Sequence, residues 1–207
     1  MWAPLPLCLL SALLATGSAL LCEVCDSEGE SCSGPLQLCA PSEGTCVKLI
    51  AAFNVGTNSF TYTAKSCLEP ANCKTENFTL TYGKNITRRV NRTCCDTDGC
   101  NSGSIRVPAV SLVPNGWQCP SCYVLGAYLC KNMKPLLCTG AENQCIDIAG
   151  TLIMGNITLP KASAGCSFHS SNVLRPGVKK YAQFVVNVVT RVKVNPPTRT
   201  GGDNKKP

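Results

Sequence analysis

Histidine is nearly absent from this chain of 207 residues, His169 being the single one. A Ser–His–acid relay would have to run through it, and no carboxylate lies near it in sequence, so that kind of nucleophilic catalysis has no motif here. Aromatic residues are only 6% of the chain, too few for a large core in a small domain. No sustained apolar period of 3.6 residues follows the first twenty positions, which makes helix a poor expectation. The acidic groups Glu28, Glu30, Asp96 and Asp98 fall in turn-like stretches and read as surface groups, not as an acid–base pair. Residues 201–207 are polar and basic, without the hydrophobic tail that a lipid-anchor signal requires, so no stable membrane anchor is expected. No catalytic, cofactor-binding or metal-binding residue is assigned.

What the chain has instead is cysteine, 17 in all. An apolar run from Leu5 to Ala15, followed by Thr16, Gly17, Ser18 and Ala19, reads as a secretory signal peptide over 1–19, too short to span a bilayer as a helix. Cleavage after Ala19 removes Cys8 and leaves an even number of cysteines to enter an oxidising compartment, so a secreted, extracellular protein is expected. Four sequons, at Asn77, Asn85, Asn91 and Asn156, are completed by Thr79, Thr87, Thr93 and Thr158 and suit the same route.

The formal charge of +7 is unevenly placed. Residues 20–116 hold eight basic and nine acidic side chains, 117–166 hold three and two, and 167–207 hold eight and one. The basic excess therefore belongs to the last segment, with Lys179, Lys180, Arg191, Lys193, Lys205 and Lys206. It is read as a solvated tail, and no nucleic-acid partner is expected.

The cysteines form a ruler that is laid down twice. From Cys22 to Cys67 the successive gaps are two, six, six, six and twenty residues; from Cys119 to Cys166 they are two, seven, seven, six and twenty. Two units about 98 residues apart follow from this. The first continues through Cys73, Cys94, Cys95 and Cys100; the second has no further cysteine. Within the even counts of this ruler, the cysteines of the two CxxC pairs, Cys22 with Cys25 and Cys119 with Cys122, read as members of structural disulfides sooner than as zinc half-sites or redox dithiols.

Between the cysteines the chain reads as strands and turns. Val47, Leu49, Ala51 and Phe53 lead into a turn over 54–58 and return through Phe60 and Tyr62, a hairpin pattern. Phe78, Leu80 and Tyr82 alternate with threonines before Gly83, and Ile146 and Ile148 lead on to Gly150 and the apolar stretch 152–158. An all-β, disulfide-rich fold is expected. Covalent links worth roughly 2–5 kcal/mol each make up for the small cores of such units.

The ten cysteines of the first unit, closed by Cys100 and Asn101, resemble the urokinase-receptor and lymphocyte-antigen (u-PAR/Ly-6) three-finger family, whose members share the snake-toxin-like fold. The resemblance implies the pairs Cys22–Cys46, Cys25–Cys32, Cys39–Cys67, Cys73–Cys94 and Cys95–Cys100, and for Asn101 a structural role tying the chain end to the sheet. In the second unit it implies Cys119–Cys145, Cys122–Cys130 and Cys138–Cys166. Through Leu21, Cys22, Glu23, Val24 and Cys25, through Asn115 and Gly116, and through Gly165 and Cys166, the chain is most similar to the two-domain gamma-class phospholipase A2 inhibitors. The domains expected are a complete three-finger unit over 20–102, a linker over 103–116, and a second unit over 117–166 without its normal third finger. A basic tail over 167–207 completes the chain. In that tail, residues 188, 190, 192 and 194 alternate with 189, 191 and 193 in a pattern compatible with a substitute strand.

The family implies a non-enzymatic, secreted protein-binding module that inhibits secretory phospholipase A2 by steric occlusion, through a contact of about 800 Å² per partner. Fingers two and three of the first unit, 47–66 and 74–93, are the expected contact surface. The alternative is a secreted signalling protein, a modulator of a cell-surface receptor or a pheromone-like factor.

Overall fold

The structure, a computed structural model, describes residues 19–168, 175–182 and 185–201. Residues 1–18 of the expected signal peptide, together with His169, Lys205 and Lys206, lie outside the described residues. Leu21–Glu23 (β1), Cys25–Glu28 (β2) and Leu36–Leu38 (β3) make the first finger, Thr45–Val55 (β4) and Asn58–Leu68 (β5) the second, Glu76–Gly83 (β6) and Ile86–Cys95 (β7) the third. Pro114–Leu125 (β8) and Lys134–Thr139 (β9) begin the second module. Gln144–Met154 (β10) and Ile157–Phe168 (β11) form its second finger, and Gly177–Ala182 (β12), Val185–Asn195 (β13) and Thr198–Arg199 (β14) complete it.

Each strand can be traced to its sequence. In β6 the buried Phe78, Leu80 and Tyr82 alternate with Asn77, Thr79 and Thr81, the period-two pattern of a strand with one covered face. Gly56 sits at φ +65° in the β4–β5 turn and Gly155 at φ +57° in the β10–β11 turn, so the two long hairpins use the same left-handed glycine.

Eight disulfides close the two modules: Cys22–Cys46, Cys25–Cys32, Cys39–Cys67, Cys73–Cys94, Cys95–Cys100, Cys119–Cys145, Cys122–Cys130 and Cys138–Cys166. The Sγ atoms of Cys22 and Cys39 lie 3.1 Å apart, and those of Cys119 and Cys138 3.5 Å apart. Each module is thus nailed at its base by a buried stack of bonded sulfurs.

The two modules share one sheet, running β12-β13-β10-β11-β6-β7-β4-β5-β2. They meet where Cys166, Ser167 and Phe168 of β11 pair with Thr81, Leu80 and Thr79 of β6. At the far ends of the path β12 approaches β2, so the sheet curls round toward closure. Its inner face holds one core drawn from both halves: Ala51, Tyr62, Phe78, Leu80 and Val90 pack with Ile146, Ile148 and Val189. Burying each large side chain there contributes about 1.5–3 kcal/mol.

The last segment differs from the sequence reading, which ended the second domain at Cys166 and left 167–207 as a tail. Residues 167 and 168 extend β11, and β12 and β13 form a hairpin that docks on β10 just as β6 and β7 dock on β4. Asn195 faces Cys145 where Cys95 faces Cys46. A third finger is present, built without cysteine. An open β10 edge would leave a row of unpaired backbone groups, and a valine-rich strand satisfies them with no covalent help.

The alternation read in β13 is also interrupted. The register with β10 shifts between Ala149 and Gly150, leaving Thr190 as a bulge whose hydroxyl donates to the Ala149 carbonyl at 3.1 Å. The bulge puts Val189 and Val192 on the same inner face, although three positions separate them. Arg191 then reaches Asp147 at 3.0 Å, and Lys179 is partly buried, so part of the basic excess is built into strands.

Candidate functional site

The ends of both modules are tied to their first strands. Asn101, 1% exposed, accepts from the Glu23 N–H at 2.9 Å and donates to the carbonyls of Glu23 (2.9 Å) and Val47 (3.1 Å). Asp98 accepts from the Leu21 N–H at 2.8 Å and the Gly99 N–H donates to the Leu21 carbonyl at 2.7 Å. In the second module the position matching Leu21 is Gln118, and β14 pairs with it through Thr198, while Arg199 stacks over the Trp117 ring at 4.9 Å. A short terminal strand stands where the first module has its closing disulfide loop and Asn101.

Below Asn101, Lys65 donates to Glu23 at 2.9 Å, both side chains being buried. That hydrogen bond holds the Glu23 carboxyl below its ordinary value against the opposing effect of burial. Glu142 is placed at the junction between modules. It accepts from the Thr81 hydroxyl of the first and from the Thr139 N–H of its own loop at 2.9 Å, and burial raises its carboxyl above the ordinary range. Glu28, Glu30 and Asp96 are exposed.

Fingers two and three of the first module, expected to form the contact surface, are covered over much of both faces, with the tip of finger two, residues 55–59, exposed. Their inner face is the shared core. On the outer face the connection between modules crosses β7: the Asn91 amide donates to the Arg106 carbonyl and Arg89 to the Pro108 carbonyl, both at 2.9 Å. Asn77 and Asn91 are cross-strand partners on that face, so two of the four sequons are side by side there. Asn85 and Asn156 are exposed in the hairpin turns. No signal in the sequence marks an inner face as shared between modules, because strands that bury against a second module carry the same alternation as strands that bury within one.

The first finger of the second module is the opposite case. Leu125, Tyr128, Leu129 and Met133 are 44, 50, 58 and 43% exposed, with Lys131 and Lys134 exposed among them. The finger is nonetheless held in place. Its Cys122–Cys130 bond closes the loop, the Gly126 N–H donates to the Pro160 carbonyl at 2.7 Å, and the Tyr128 hydroxyl lies 3.3 Å from that of Thr151. It carries no sequon. A rigid finger that exposes four apolar side chains with two lysines is an interaction surface in its composition: aromatic, Met and aliphatic anchors at the centre and charge at the rim.

A family model described as phospholipase A2 inhibitor matches residues 20–102, and one described as u-PAR/Ly-6 domain matches residues 115–193, running through most of β13. The chain is 34% identical over 148 residues to a phospholipase A2 inhibitor gamma subunit from Gloydius brevicaudus siniticus, covering 69% of this chain and 72% of that one. It is 33% identical over 192 residues to a phospholipase A2 inhibitor gamma subunit from Elaphe climacophora, covering 91% and 93%. With the phospholipase A2 inhibitor 31 kDa subunit from Naja kaouthia it shares 32% over 129 residues, 62% and 68% of the two chains. With its two disulfide-closed modules matched in turn, and with similarity to the Elaphe protein running along nearly its whole length, the chain belongs to the two-domain phospholipase A2 inhibitor family of u-PAR/Ly-6 proteins.

Proposed function

We propose that this protein is a secreted, non-catalytic inhibitor of secretory phospholipase A2 that acts by covering the enzyme's interfacial or active-site surface. The observation that carries the reading is the 33% identity over 93% of a relative named as a phospholipase A2 inhibitor gamma subunit, which spans both modules and not a single finger. The contact is assigned to the first finger of the second module, since much of both faces of fingers two and three of the first is occupied by the shared core and by the connecting segment. Leu125, Tyr128, Leu129 and Met133 supply the apolar centre, and Lys131 and Lys134 the cationic rim. Occlusion of this kind needs no chemistry from the inhibitor, only a rigid surface of sufficient area.

The test is direct binding of the secreted protein to several secretory phospholipases A2 by surface plasmon resonance. At least one is expected to bind at micromolar concentration or below, with loss of binding in Leu129→Asp/Met133→Asp. Absence of binding across the set would overturn inhibition, and unchanged binding by the double variant would overturn the assignment of the finger.

A further inference from the structure

Between the tips of the second fingers of the two modules lies a cavity of about 300 Å³. Phe53 and Phe60 of the first module and Leu152 and Met154 of the second line it, together with Tyr123 and Asn187. Its walls are almost wholly apolar apart from one cation, Lys161, placed beside the Tyr123 ring with Nζ 5.1 Å from its centroid. Lys161 is half-buried, so its ammonium keeps some contact with water while its inner side faces the apolar walls, where an anion is the partner that suits it. Among the described residues no carboxylate and no hydrogen-bond acceptor is paired with this ammonium. The charged neighbour that acts on it is another cation, Arg88, whose guanidinium covers the Phe53 ring at 5.5 Å. Burial, and after it Arg88, lowers the Lys161 ammonium to about 8, so it still carries its charge at neutral pH.

We propose that this cavity binds a medium-chain fatty-acid anion, its alkyl chain lying among Phe53, Phe60, Leu152 and Met154 and its carboxylate against the Lys161 ammonium. The polarity fits in both parts: an apolar sleeve for a hydrocarbon chain and one unneutralised cation for one negative charge. The volume fits as well. At about 30 Å³ for each water-sized group, the cavity takes on the order of ten heavy atoms, the size range of a medium-chain acid such as decanoate. The asparagine amide of Asn187, 5% exposed, supplies a second polar group at the cavity wall. This inference does not depend on phospholipase inhibition, since the cavity lies between second fingers and the assigned contact lies on a first finger.

The test is calorimetric titration of the full secreted protein, disulfides intact, with sodium decanoate below its micelle concentration at pH 7. Saturable one-to-one binding is expected, weakened at least about tenfold in Lys161→Met, where the charged hydrogen bond is lost and the stem kept. Leu152→Trp, which fills the sleeve, is expected to abolish it. Decyltrimethylammonium, with the same chain and the opposite charge, is expected not to bind. Absence of saturable binding, equal binding of decyltrimethylammonium, or unchanged affinity in Lys161→Met would each overturn the proposal. If Lys161→Met is not secreted, the preference of the unaltered protein for decanoate over decyltrimethylammonium decides.

Discussion

Gly165 passes so close to Thr81 that a Cβ built on it would stand 2.0 Å from the Thr81 carbonyl oxygen. The glycine lies on β11 between the segment paired with β8 and the segment paired with β6, where the two modules become one sheet. Only a residue without a side chain lets the β6 backbone come this near.

Gly165→Ala is therefore expected to push β6 off β11. Overpacking of this kind costs about 1–3 kcal/mol, and here the effect concentrates at the junction. Thermal unfolding should drop accordingly, and limited proteolysis should open the connecting segment 103–113 earlier than in the unaltered protein. A melting temperature within error of the original would show that the junction is looser than described.

Asn101→Ala removes three hydrogen bonds from a buried position and leaves the Glu23 N–H and two carbonyls without them. A loss of about 2–4 kcal/mol is expected, confined to the first module. Urea unfolding checks it, with Asn115→Ala as comparison, because Asn115 also makes three hydrogen bonds, to the Gly140 and Glu142 carbonyls and from the Trp117 N–H, but from a half-buried position.

Glu23 gives the acid dependence. Lys65 holds its folded carboxyl below the unfolded value of about 4.3, so the unfolded chain binds more protons as the pH falls. Its contribution is complete above that unfolded value and is lost as the pH drops through the folded one. Glu23→Gln is expected to be less stable near neutral pH, because Lys65 is left buried without its partner, and to show a shallower acid loss below about pH 4. Urea midpoints from pH 7 to pH 2.5 would show the two curves converging. Parallel curves would contradict the assignment.

The two third fingers should differ in local stability. β6 and β7 are bracketed by the Cys73–Cys94 and Cys95–Cys100 bonds, whereas β12 and β13 depend on Val189, Val192 and the Arg191–Asp147 pair. Amide exchange is expected to be faster in 186–194 than in 86–94, and faster still in Val189→Ala. Equal protection in the two hairpins would mean that packing alone holds both.

The two repeated units were legible in the cysteine spacing, whereas the pairing of the cysteines and the three-finger fold came from the family resemblance, because intervals between cysteines do not fix which of them bond. The strand pattern of β6 was equally plain, since Phe78, Leu80 and Tyr82 mark one face. The last hairpin was under-read for a physical reason. A finger held by valines and a bulge carries no fixed spacing, and the bulge at Thr190 moves Val192 to the face that strict alternation gives to Val189. Lys161 gave no signal either, as a single lysine after a proline matches no motif. Its meaning comes only from the second-finger tips brought around it by the β6–β11 junction.

Inhibition by occlusion turns on which face of the two-module sheet meets the enzyme. Amide exchange of the protein with and without a bound secretory phospholipase A2 tests this directly. Protection over residues 125–134, with none added on the outer face of β6 and β7, is the expected footprint; protection of that outer face with 125–134 unchanged would contradict it.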